Sequence, residues 1–281
     1  MGNVLFVVWR ESFEALLVIG IIYSWIKRHP DVKNGMKFLW GGVALGVAIS
    51  IVLALAIYGV FSSLEDIWQT SFMIFMEILA CILIVQMVYW MNKHGKEMSQ
   101  ALIQGIDRNT KKHSWWGALF IIAIAIAREG SEIVVFLSAI IMNLTPENSG
   151  AFATEVMLGL AIAACTLAAF ILTSKVVSWK CFFTITGIML LFLAVTLLLR
   201  ATDEVANLLL EYDIDLPEFF EMSLWDTSSF LDDGQGIGNF LSSFFAYRSQ
   251  PTGLSITVFV IYWIIVGFIF WRGSRGQKTT H

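Results

Sequence analysis

Seven stretches of this chain are long and apolar enough to cross a lipid bilayer as helices, and that limits the fold more than any other feature. They run over about residues 4–26, 38–61, 72–91, 115–142, 152–177, 181–199 and 254–271, where a helical span takes roughly 18–25 residues. Composition agrees: 57% of the 281 residues are hydrophobic and 14% charged, at a mean hydropathy of +0.74, far too apolar for an ordinary soluble domain. Lipid offers no partner to open backbone, so the spans are helices. The expected fold is an all-α integral membrane protein with seven transmembrane helices. The first stretch has no basic segment before it and no small-residue cleavage site after it, so it is expected to be a span rather than a signal peptide.

Basic residues orient such a chain, because they concentrate in cytoplasmic loops. Fourteen of the eighteen Lys and Arg follow the first, third, fifth and seventh stretches, two (Arg200 and Arg248) follow the sixth, and two lie within spans. The N-terminus is therefore expected outside and the C-terminus in the cytoplasm. Residues 1–112 and 113–200 then read as three-helix halves of opposite orientation, a 3+3 inverted-topology repeat of the kind that holds transport sites at the repeat interface. An acidic extracytoplasmic loop (201–252) and an accessory seventh helix with a cytoplasmic tail (253–281) complete a single membrane domain.

Two spans carry charge at their centres. Arg10-Glu11-Ser12-Phe13-Glu14 and Arg128-Glu129-Gly130-Ser131-Glu132 repeat one R-E-x-x-E pattern in the first and fourth stretches. A central charge costs roughly 2.5–3.5 kcal/mol on insertion scales, and such groups usually line a polar path or a site. Residues three and four apart share a helix face, so Glu11 and Glu14 point together, as do Glu129 and Glu132. Each arginine can also neutralise the second glutamate of its own pentad. At ~1.5 Å per residue, Glu14 lies roughly 15 Å and Glu129 to Glu132 roughly 20 Å from the starts of their spans, near mid-membrane.

If these helices pack antiparallel, four carboxylates and two guanidiniums converge with negative charge in excess, which makes a cation site. Carboxylate oxygen suits hard cations. His29, His94, His113 and His281 are all in loops or the tail, and Cys81, Cys165 and Cys181 lack C-x-x-C spacing and are expected to be small core residues. The competing explanation is that each arginine simply locks helices together, although such locks have no need to recur with identical spacing.

The two pentads, with seven spans and an outside N-terminus, resemble the high-affinity iron permease family, which includes fungal ferroxidase-coupled permeases and bacterial permeases of the elemental ferrous-iron uptake type. Supporting features are Glu77, Trp90-Met91, and Leu224-Trp225-Asp226-Thr227-Ser228 through Ala246-Tyr247 to Pro251. The likeness covers nearly the whole chain, departing at Ile78, where a common family pattern has glycine. It implies an iron permease of the plasma or bacterial inner membrane that moves iron into the cytoplasm. Glu11, Glu14, Glu129 and Glu132 would be the metal ligands, with Arg10 and Arg128 as their companions and an extracytoplasmic ferroxidase or iron-binding protein as partner.

Iron would be the cargo, with no permanently bound cofactor, since no haem-type histidine pair, copper cluster or nucleotide motif is present. Oxygen ligands alone do not choose the metal, so a proton-coupled transporter of another divalent cation such as manganese stays open. An intramembrane metalloenzyme would need ligands of the H-E-x-x-H kind, which do not occur. No nucleic-acid partner is expected. Ferrous against ferric substrate, the coupling ion and the oligomeric state are left open.

Glu77, in the third span, is either a further ligand or relay carboxylate near the pathway entrance, or a protonated helix-packing group. Ten acids lie between Arg200 and Pro251 with only those two loop arginines opposing them, a patch that steers cations or docks a partner, or else a plain solvated loop. Glu218 and Glu221, three apart, form a minor candidate pair within it. Gly234-Gln235-Gly236-Ile237-Gly238 is expected to be a flexible turn, because no strand precedes it as a nucleotide fingerprint requires. Phe240, Leu241, Phe244 and Phe245 have the spacing of a short interfacial helix or lid. Met73, Met76, Met87 and Met91 are expected to serve helix packing.

Overall fold

The structure is a computed structural model that describes residues 2–29, 34–94, 115–142, 149–172, 179–214, 216–234 and 236–276. His113, His281, Asp215, Gln235 and seven of the basic residues that set the expected orientation (Lys33, Lys96, Arg108, Lys111, Lys112, Lys175 and Lys278) lie outside the described residues. The same holds for the side chains of His94, Lys180, Cys181 and Arg275.

Each apolar stretch falls on a long helix as far as it is described. These are α1 (Asn3–Arg28), α2 (Gly35–Ser62), α3 (Asp66–His94), α4 (Trp115–Ile141), α5 (Ser149–Leu172) and α6 (Trp179–Glu211), followed by the short α7 (Glu218–Glu221) and α8 (Gly236–Phe245), and then α9 (Gly253–Gly276). No strand occurs among the described residues, where Ser223 and Thr252 make an isolated bridge. Two prolines mark boundaries, since Pro217 and Pro251 fall between helices, where a missing N–H does no harm. Five helices, α2, α3, α5, α6 and α9, are long and apolar enough to cross a membrane. The other two long ones, α1 and α4, carry the pentads, and any eighteen consecutive residues of either include at least three charges.

One boundary differs from expectation. Helix α6 runs twelve residues past the apolar stretch to Glu211, so Arg200, Asp203, Glu204 and Glu211 are helical and not part of a loop. The segment Ala-Thr-Asp-Glu-Val-Ala-Asn-Leu-Leu-Leu-Glu is rich in good helix formers. It ends where Asp213 takes a φ of 54°. There the Ile214 N–H reaches Leu209 O at 3.0 Å and the Asp213 N–H reaches Leu210 O at 3.1 Å, the double closure of a left-handed helix cap.

The long helices group across chain order into two compact units, α1, α2, α4 and α5 in one, and α3, α6 and α9 with the short helices in the other. In the first, α2 lies along α4 through small residues one helical turn apart. A Cβ on Gly42 would stand 2.8 Å from Ile122, and one on Gly46 would stand 2.7 Å from Ile126 and 2.8 Å from the Ala123 carbonyl. One turn further, Ser50 abuts Gly130. The register rises on both helices together, so α2 and α4 are parallel, held by the small-residue contact that lets helix backbones approach within lipid.

Helix α1 runs the opposite way to α4. Val18 and Ile22 near its end share a core with Ala118, Ile122 and Ile126 from the first half of α4 and with Leu39 of α2. On another face of α1, Gly159 of α5 meets the Leu5 carbonyl and Val8, and the Trp9 indole donates to Thr166 at 3.0 Å.

In the second unit α3 and α6 are antiparallel, with Val88 against Gly187 and Glu77 within electrostatic range of Arg200, Asp203 and Glu204. Helix α9 is tied to α6 by the Tyr262 hydroxyl donating to Leu191 O at 2.8 Å, and to α3 by Tyr89 against Gly273 and Phe270. Met76, Met87 and Met91 are buried as packing residues. Cys81 is buried as expected, whereas Cys165 is exposed and is not a core residue, since its face of α5 points away from α1.

Candidate metal centre

The first pentad sits mid-helix, where no backbone group is left to satisfy its charges, so its side chains must serve one another. Arg10 is only 1% exposed, and Glu11 and Glu14 are as deeply buried. Its Nη1 donates to Glu11 Oε1 at 2.8 Å, and Nη2 stands 2.7 Å from Glu14 Oε1. The latter is an ion pair not aligned as a hydrogen bond, and Glu14 Oε1 has no hydrogen-bond partner among the described residues. The i, i+4 spacing sets the second pair and a neighbouring rotamer the first.

The second pentad is placed differently. Gly130 is required at its centre, because a side chain there would run into Ser50 of α2. Glu129 is buried, and its nearest cation in its own pentad is Arg128, whose Nε lies 3.9 Å away. Arg128 is 37% exposed and reaches Glu132 at 3.3 Å.

Antiparallel crossing of α1 and α4 brings Glu11, Glu14 and Glu129 together, with one oxygen from each within 4.8 Å of the others. Glu132 stands outside this cluster on its arginine, within electrostatic range of Glu11 and Glu14. The convergence expected of four carboxylates is thus one of three. Glu11 Oε2, Glu14 Oε1 and Glu129 Oε2 are buried without a hydrogen-bond partner among the described residues. Like charges at such separation repel by about 3–4 kcal/mol per pair at an effective dielectric of 20. Arg10 touches Glu11 and Glu14 directly, and Glu129 has Arg128 at 3.9 Å in its own pentad. An all-oxygen, anionic, buried cluster fits a hard or borderline divalent cation.

The model of the iron permease FTR1 family matches residues 1–278. The chain belongs to that family. The protein named ferrous iron permease EfeU of Yersinia pestis is 28% identical over 279 residues, covering 96% of this chain and 93% of its own length. The proteins of the same name from Escherichia coli O6:K15:H31 (strain 536 / UPEC) and Shigella sonnei (strain Ss046) are each 26% identical, over 269 and 262 residues, and cover 92% and 91% of the chain and 92% and 90% of their own lengths. No solved structure matches the chain. Its relatives are permeases, transporters and not enzymes, and its several apolar helices make this iron permease a multi-pass membrane protein.

Other residues singled out in the permease fall elsewhere. Glu77 belongs to the second unit, buried, with Oε2 lacking a hydrogen-bond partner among the described residues. Ile78 is exposed, so its side chain does not crowd that site. Two pieces of the loop hold each other. The Thr227 hydroxyl bonds the Tyr247 hydroxyl at 2.6 Å, the Thr227 N–H donates to Ser249 O at 2.9 Å, and Tyr247 donates to Leu231 O at 3.0 Å.

Asp233 accepts from the Ser249 N–H and hydroxyl, and Arg248 pairs with Asp203 at 2.5 Å. Asp233 and the helical Asp203 are therefore structural, and Glu218 and Glu221 remain exposed on α7. The glycine-rich segment is a turn only at its start: Gly234 lies in a turn, whereas Gly236 to Gly238 open α8, with Gly238 against the Asp232 carbonyl. Phe240 to Phe245 do form the short helix, with Phe244 buried and Phe240 exposed. Sequence reasoning missed Gly42, Gly46 and Ser50, although their four-residue spacing in an apolar run was a visible signal of close helix contact.

Proposed function

We propose that this iron permease takes ferrous iron from outside the cell membrane, the plasma or bacterial inner membrane, into the cytoplasm through the carboxylate cluster between α1 and α4. The observation that carries the reading is the set of three buried carboxylates with unpartnered oxygens drawn together by the crossing pentads. Ferrous iron is favoured as cargo by the names of the relatives. Glu11, Glu14 and Glu129 replace part of the ion's water shell, and Glu132 joins them. Arg10 keeps the empty site from excess negative charge, which also eases release. Glu77 serves as a relay carboxylate near the entrance, with the acidic loop raising local cation concentration. An extracytoplasmic ferroxidase or iron-binding protein delivers the ion.

The long helices act as seven spans with the N-terminus outside, residues 1–112 and 113–200 being inverted halves. Two features support this reading. Helix α1 is antiparallel to α4, and the second helix of each half packs through a glycine on the pentad helix of the other: Gly42 and Gly46 on α4, Gly159 on α1. Inverted halves move against one another around a fixed midplane site, which gives alternating access.

The test is uptake of labelled iron into proteoliposomes, presented separately as ferrous and ferric ion with manganese as competitor. Saturable ferrous uptake that manganese inhibits weakly is expected. Manganese uptake without iron uptake would replace this reading with that of a different divalent-cation transporter.

A further inference from the structure

The pentads are alike in sequence and unlike in geometry. Arg10 is 1% exposed and seated between two carboxylates at 2.8 and 2.7 Å, whereas Arg128 is 37% exposed and touches Glu132 at 3.3 Å and Glu129 at 3.9 Å. Glu132 is itself 17% exposed, more than the three clustered glutamates. Resting on the carboxylate-site reading above, we infer that Glu132 is an exchangeable fourth ligand that Arg128 holds out of the cluster while iron is absent. The ion then meets a preformed three-carboxylate site from the side of Glu132 and is closed over when Glu132 leaves Arg128.

Three physical points carry this. A charge-assisted hydrogen bond of 3.3 Å is long for its kind, so breaking it costs less than breaking the 2.8 and 2.7 Å pairs of Arg10. The short buried pairs of Arg10 are expensive to break, because either partner alone would be an uncompensated buried charge. Glu132 lies three residues after Glu129 on one helix face, so a side-chain rotamer change brings its carboxylate toward the cluster without moving the backbone. Release runs in reverse: Arg128 recaptures Glu132 and the ion loses a ligand. Arg128 is thus a positioning residue, and the two arginines of the repeat do different work.

The test uses the purified full-length protein, with anaerobic titration of ferrous iron and ferrous uptake in proteoliposomes. Glu129→Gln is expected to lose saturable binding. Arg128→Gln is expected to bind about tenfold tighter while its uptake slows, because release is impaired; a merely structural role would weaken both. In a Glu132→Gln background the same arginine change should alter affinity by less than about twofold.

Tightening that persists in that background would mean simple charge repulsion and overturn the exchange, as would weaker binding by Arg128→Gln. Should Arg128→Gln fail to fold, Arg128→Lys, which lacks the Nε donor, is expected to tighten binding to a smaller degree, and unchanged affinity there would overturn the exchange. Undiminished binding by Glu129→Gln would overturn the carboxylate site itself, and the inference with it.

Discussion

Arg10 and Glu129 mark the two ways a buried charge is tolerated in this site. Arg10 is spent on Glu11 and Glu14, so Arg10→Gln leaves two buried carboxylates uncompensated and should destabilise the protein by about 3–5 kcal/mol, read as a lowered thermal midpoint. Glu129 has only a distant, partly exposed arginine in its own pentad. Glu129→Gln should abolish iron uptake while leaving the thermal midpoint in chelator no lower than that of the native chain, the pattern of a residue kept for function at some cost in stability. A fall in midpoint equal to that of Arg10→Gln would mark Glu129 as a lock.

Outside the membrane helices, Asp226 accepts from the Ser228 hydroxyl at 2.6 Å and N–H at 2.9 Å and from Gln250 at 2.9 Å. These bonds, the Ser228 hydroxyl first, hold its carboxyl below the ordinary range. A lowered carboxyl value means that the stabilisation is fully present above the ordinary value of about 4 and is lost as pH falls through the lowered one. Amide exchange in residues 222–234 should therefore stay slow from neutral pH into mild acid and speed up only below that value, a step that Asp226→Asn removes.

At the scale of helices, the contact between α2 and α4 decides where Glu129 stands. Gly130 has Ser50 against it, and a Cβ at 130 would lie 2.8 Å from Ser50 Cβ, so Gly130→Ala should part the helices at about 1–3 kcal/mol and reduce uptake. Adding Ser50→Gly restores the space, and uptake in the double variant should recover toward the native level; failure to recover would mean that Gly130 acts through something other than this contact.

The pentads and long helices were legible because buried charge and apolar length are local properties of the sequence. The difference between the pentads was not, since it arises from what each helix packs against: Arg10 is enclosed, while Arg128 is partly exposed. Nor was the end of α6, where helix-forming polar residues continue an element whose apolar signal has stopped. Acids such as Asp203 on α6 and Asp233 in the loop read as a free negative surface, yet their partners, Arg248 and Ser249, come from distant sequence.

At the scale of the whole molecule, a member of the iron permease family carries a buried group of three carboxylates among its described residues. The grouping of α1, α2, α4 and α5 into one unit puts the first two helices of each expected half around the carboxylates, with the third of each half in the other unit. That division is more than the apolar pattern could specify, because helix pairing in lipid depends on small residues and not on overall hydropathy. The central claim is that iron binds the oxygens contributed by Glu11, Glu14 and Glu129. The most direct test is X-ray absorption at the iron K edge on purified protein loaded anaerobically with ferrous iron, compared with the Glu14→Gln/Glu129→Gln variant. An inner shell of oxygen alone in the native chain, lost in the variant, is the result predicted; sulfur or nitrogen neighbours, or a spectrum unchanged in the variant, would contradict it.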